Sequence, residues 1–81
     1  MTNEPFMDAV VEMVLFLELS GPETVNEDAA VAMMEQIASA LQKLGPVEKG
    51  LFLRYLEGRT IRTISNEERQ IIENMATSFG L

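Results

Sequence analysis

The chain has 81 residues, no Cys, no His and a formal net charge of −7. That excludes disulfides, thiolate or imidazole metal sites and His-based nucleophilic catalysis. Stability in a domain this small must then come from apolar packing, within the chain or against a second one.

Breaks at Ser20-Gly21-Pro22, at Gly45-Pro46 and across Gly58 to Ser65 divide the sequence into four periodic stretches. This predicts an all-α fold, a compact bundle of four short helices forming a single helical domain over residues 1–81. The first helix is expected from about Pro5 to Leu19, with Asn3 as N-cap, Glu4 and Asp8 complementing the helix dipole, and Gly21-Pro22 as the stop. At 100° per residue, Phe6, Val10, Met13, Val14 and Leu17 form an apolar arc expected to face the core. Glu4, Asp8, Glu12 and Glu18 share an arc of roughly 120° on the other side. Val11, Leu15 and Leu19 project between those acids, which makes a mixed apolar and acidic face.

The second helix is expected over about Val25 to Leu44, capped by Thr24 with Glu27 or by Asn26. Its apolar stripe is Ala30, Met33, Met34, Ile37, Leu41 and Leu44. A third helix starts at Pro46 with Gly45 as N-cap and reaches about Glu57. Phe52, Tyr55 and Leu56 are its core residues, flanked by Val47 and Leu51, with the Tyr55 hydroxyl at the rim. The β-branched segment Gly58 to Ile64 reads as a frayed end and a loop, with Ile61 and Ile64 tucked under the bundle. Ser65 and Glu68 have capping-box spacing. The last helix covers Asn66 to Ser78, with Ile71, Ile72, Met75 and Phe79 inward and Gly80 as its C′ residue.

Charge is divided unevenly along the chain. Residues 1–42 hold eight acids and no base. Residues 43–81 hold five acids and six bases, so the halves carry −8 and +1. An acidic field steers a basic partner inward and repels nucleic acid and anionic membranes, so neither of those is an expected partner. Arg54, Arg59 and Arg62 could line an anion site, but pairing with Glu48, Glu57 and first-helix acids is the simpler use. The adjacent pairs Glu27-Asp28 and Glu67-Glu68 sit at helix starts, where capping and the dipole explain them better than acid–base catalysis. No calcium-loop or phosphate-loop pattern occurs. The expectation is a non-enzymatic chain with no cofactor and no metal. A cytoplasmic location is expected too, since no Lys or Arg precedes the first apolar run as a secretory signal would require.

The acidic run Glu4, Asp8, Glu12, Glu18, Glu23, Glu27, Asp28 and Glu35, in a short helical chain, resembles the small acidic all-helical immunity proteins that bacteria pair with toxic effectors. The resemblance is one of size, composition and helix pattern, and no diagnostic motif carries it. It implies a non-catalytic immunity or inhibitor protein that docks an acidic face on a basic partner protein such as a toxin effector. The expected partner-binding residues are those eight acids together with Val11 and Leu15. The alternative is a homo-oligomeric structural or adaptor protein, a homodimer through the first helix, although that would bring Glu4, Asp8 and Glu12 near their own copies.

Overall fold

A computed structural model describes residues 3–81. Among them the backbone forms four helices and no strand: α1 (Glu4–Leu19), α2 (Glu27–Gln42), α3 (Pro46–Arg62) and α4 (Asn66–Ser78). None is long and apolar enough to cross a membrane.

The helix ends follow local chemistry. Asn26, with extended backbone, accepts from Ala29 N at 3.1 Å, so it is the α2 cap and Thr24 is not. Ser65 accepts from Glu68 N at 3.3 Å and starts α4. Gly45 is the N-cap of α3, with Pro46 in the first position. Asn3 precedes α1 without a side-chain cap bond. The C-terminus of α4 closes as a Schellman motif: Gly80 has φ 71°, Gly80 N donates to Thr77 O and Leu81 N to Ala76 O. Gln42 Nε2, from the end of α2, donates to Phe79 O at 2.9 Å and ties the two helix ends together.

The segment expected to fray is helical instead: α3 continues through Arg62. Thr60 Oγ1 bonds back to Leu56 O at 2.9 Å, and Thr63 Oγ1 to Arg59 O at 2.6 Å. A threonine whose hydroxyl is bonded to the preceding turn sits in a helix despite its branched Cβ. Arg69 then fixes the turn into α4, with Nε and Nη2 donating to Thr63 O at 3.2 and 2.8 Å. Ile61 and Ile64 are not tucked under the bundle; they stand 85% and 92% exposed at this corner.

The core is Val11, Val14 and Leu15 of α1, Ile37 of α2, Phe52, Tyr55 and Leu56 of α3, and Ile72, Met75 and Phe79 at the α4 end. α1 packs against all three other helices, and α3 packs against α4. The rotation of α1 departs from the sequence reading. Val11 is fully buried and Leu15 is 4% exposed, whereas Phe6, Met13 and Phe16 are 73%, 42% and 54% exposed. Of the expected inward arc, Val14 is buried and Val10 and Leu17 pack against the core, while Phe6 and Met13 turn out; of the mixed face, Val11 and Leu15 turn in and Leu19 stays 41% exposed. Two further residues placed beside the core, Val47 and Leu51, are exposed, as is Met33 of the α2 stripe.

Candidate functional site

The ten residues expected at a partner surface are dispersed by the fold into several environments. Val11 and Leu15 are core residues and cannot touch a partner, because the turn of α1 that buries them also supplies its packing against the other helices. Asp8 and Glu12, which flank them, reach α3. Arg59 Nη1 lies 3.4 Å from Asp8 Oδ1, Arg59 Nη2 donates to Glu12 Oε1, and Arg62 Nη2 is 3.7 Å from Asp8. Tyr55 Oη donates to the same Asp8 oxygen and accepts from Arg59 Nη1 at 3.0 Å.

This rim network explains how a mixed face can pack inward. The apolar side chains enter the core and the carboxylates stay at its edge, where they meet guanidinium groups. Arg62 also lies over the Tyr55 ring, 5.7 Å from its centroid, and Phe52 stacks on that ring at 6.2 Å. Burial pushes the Tyr55 phenol above its ordinary pKa of 10.0, and donation to Asp8 adds to the rise. Burial alone would lower Arg59, but its bonds to Glu12 and Tyr55 outweigh that and raise it. Asp8 and Glu12 are therefore used within the chain. Arg54 makes no ion pair among the described residues.

The other acids are less spent. Glu18, Glu27 and Glu35 come together around a trough of about 520 Å³ formed by the end of α1, one face of α2 and the end of α4. Its floor is Leu17, Val25, Ala30, Val31, Met34, Ala38 and Phe79. All three carboxylates are exposed and, among the described residues, form no ion pair; no Lys or Arg lines the trough. Glu23 and Asp28 are exposed nearby in sequence but do not line it, and Glu4 lies instead beside Arg54, Tyr55 and Arg62.

The sequence reading missed the floor of this trough. One signal was present: Glu27, Val31 and Glu35 recur every four residues and so form one row on α2, with Ala30, Met34 and Ala38 alongside. Val31, 57% exposed between two acids, is the exposed apolar residue that marks it. No three carboxylates among the described residues gather closely enough to hold a metal ion.

Comparison with known proteins gives no match among protein families, curated proteins or solved structures. The functional reading accordingly rests on the chemistry of the trough. An apolar floor with a one-signed carboxylate rim fits a segment that carries apolar side chains flanked by Lys or Arg.

Proposed function

We propose that this chain is a non-catalytic binding protein of the immunity or inhibitor type, and that the α1–α2 trough takes a basic amphipathic segment of a partner protein such as an effector domain. The single observation behind this reading is the set of three unpaired carboxylates, Glu18, Glu27 and Glu35, around an apolar floor. Apolar side chains of the partner would displace water from Val31 and Met34 and supply most of the affinity, while its Lys or Arg heads reached the rim. The −8 charge of residues 1–42 would speed encounter, an effect that weakens as salt shortens the Debye length below about 10 Å.

The test uses two synthetic helical peptides of the same Leu pattern, one with Lys and one with Glu at the polar positions. Each is titrated against the labelled chain while backbone amide shifts are followed. The Lys peptide is expected to shift Val31, Met34 and Ala38, with affinity falling as salt rises, and the Glu peptide is expected to leave them unmoved. Replacing Glu18, Glu27 and Glu35 together by Lys should weaken the Lys peptide by about tenfold or more. Equal binding of both peptides, or shifts confined to another face, would overturn the assignment.

A further inference from the structure

A second concavity, away from the acidic trough, lies where α1, the end of α2 and the start of α3 meet. α2 and α3 each pack on α1 but touch one another little, so the corner at Gly45-Pro46 leaves a gap beside the core. The gap is an apolar cleft of about 220 Å³. Phe6 and Val10 of α1 form one wall, Leu41 and Leu44 a second, and Leu51 and Phe52 of α3 a third.

Size and lining restrict what can enter. An apolar cavity of about 150 Å³ holds one benzene ring. A cleft somewhat larger than that takes one ring with a short side chain, or a bicyclic ring such as indole. Two of the walls are aromatic: Phe52 is 3% exposed and belongs to the core, whereas Phe6 stands 73% exposed at the mouth. A planar ring entering between them meets apolar surface on both sides and takes part of Phe6 out of water.

Charge selects further. Glu48, in the first turn of α3, lines the cleft, and no Lys or Arg does. Its carboxylate folds back over Gly45, where an added Cβ would stand 2.7 Å from Oε2, and it makes no ion pair among the described residues. The dipole of α3 favours an acid at this end, and the same carboxylate is open to a cation at the mouth. The net charge of −7 repels an anion on approach. An aryl or alkyl carboxylate is thus disfavoured and an amine favoured.

We infer that the cleft between α1, α2 and α3 binds a small aromatic amine of the arylethylamine class, its ring between Phe6 and Phe52 and its ammonium group at Glu48. The site shares no lining residue with the α1–α2 trough, so it stands or falls apart from the function proposed above. For a ligand of about twelve non-hydrogen atoms the dissociation constant should be about 0.1–1 mM.

Tryptamine, protonated at about pH 7, is the probe. The chain has no Trp and one Tyr, so indole emission excited beyond the tyrosine band comes from the ligand alone. Titration of the full chain should shift that emission to the blue, with amide shifts centred on Val10, Leu41 and Leu51. Neutral indole should bind about threefold to fivefold more weakly and indole-3-acetate about tenfold or more. Glu48→Gln should bring tryptamine to the level of indole and leave indole itself unchanged. Phe6→Ala should weaken tryptamine and indole alike, by about threefold or more. Both substituted side chains are exposed, so helical circular dichroism should match the parent. No blue shift at millimolar tryptamine, equal binding of tryptamine and indole-3-acetate, a preference that survives Glu48→Gln, or amide shifts centred on Val31 and Met34 of the trough would each overturn the assignment.

Discussion

The rotation of α1 can be decided with two adjacent alanine substitutions. Leu15 is 4% exposed within the core, and Phe16 is 54% exposed on the outer face. Leu15→Ala removes a buried isobutyl group and leaves a cavity in the core, at a cost of about 3 kcal/mol. For a chain of this length the whole stability is about 4–12 kcal/mol, so the loss is a large fraction of it. The melting temperature should fall by about 10–20 °C.

Phe16→Ala removes a larger side chain but one already half in water. Alanine also has the better helix propensity, by about 0.5 kcal/mol, so this variant should lie within about 1 kcal/mol of the parent. Urea unfolding followed by circular dichroism measures both, at about 1 µM protein so that self-association does not contribute. Had α1 turned its charged arc to solvent, Leu15 would lie on the outer side and Leu15→Ala would cost less than about 1 kcal/mol. Such a small cost would refute the packing of α1.

Three further outcomes follow from the geometry. The folded-state pKa of Tyr55 is raised above 10.0, so the stability its neutral phenol contributes is fully present below pH 10 and is lost as pH climbs through the folded value. Phenolate absorbance should accordingly titrate at higher pH in the native chain than in denaturant; equal midpoints would contradict the buried hydrogen bond to Asp8. Gly80→Ala should cost about 1–2 kcal/mol, since φ 71° strains an L residue, and the new Cβ would come within 2.9 Å of Gln42 Nε2 and disturb its bond to Phe79 O. Asn26→Ala should cost about 1 kcal/mol through loss of the α2 cap, and Thr24→Ala a few tenths at most; thermal melts that rank them the other way would restore Thr24 as the cap.

Much of the fold is legible in the sequence because it is set locally. Gly21-Pro22 and Gly45-Pro46 separate helices locally, although Gly50 and Gly58 lie inside α3, and Ser65, Asn26, Gly45 and Gly80 mark ends through bonds and angles that span only a few residues. The inward residues Phe52, Tyr55 and Leu56 of α3 and Ile72 and Met75 of α4 follow from helical spacing, although the same spacing placed Val47 and Leu51 of α3 beside the core, where the structure leaves them exposed. The continuation of α3 to Arg62 was obscured by β-branched residues whose hydroxyl bonds back to the helix only become apparent once the turn exists.

Only the tertiary structure decided which way α1 faces and which acids remain free. α1 is apolar around most of its circumference, so its periodicity defines two candidate inner faces of similar strength and cannot choose between them. The choice was made by groups more than forty residues away: Tyr55, Arg59 and Arg62 receive Asp8 and Glu12 at the rim and so permit the charged side to turn inward. The same contacts take those two carboxylates out of the acidic surface and leave Glu18, Glu27 and Glu35 around an apolar floor that no single helix displays. A charge along a sequence is fixed by composition, but whether it is spent inside the molecule or offered outside depends on what the fold brings beside it.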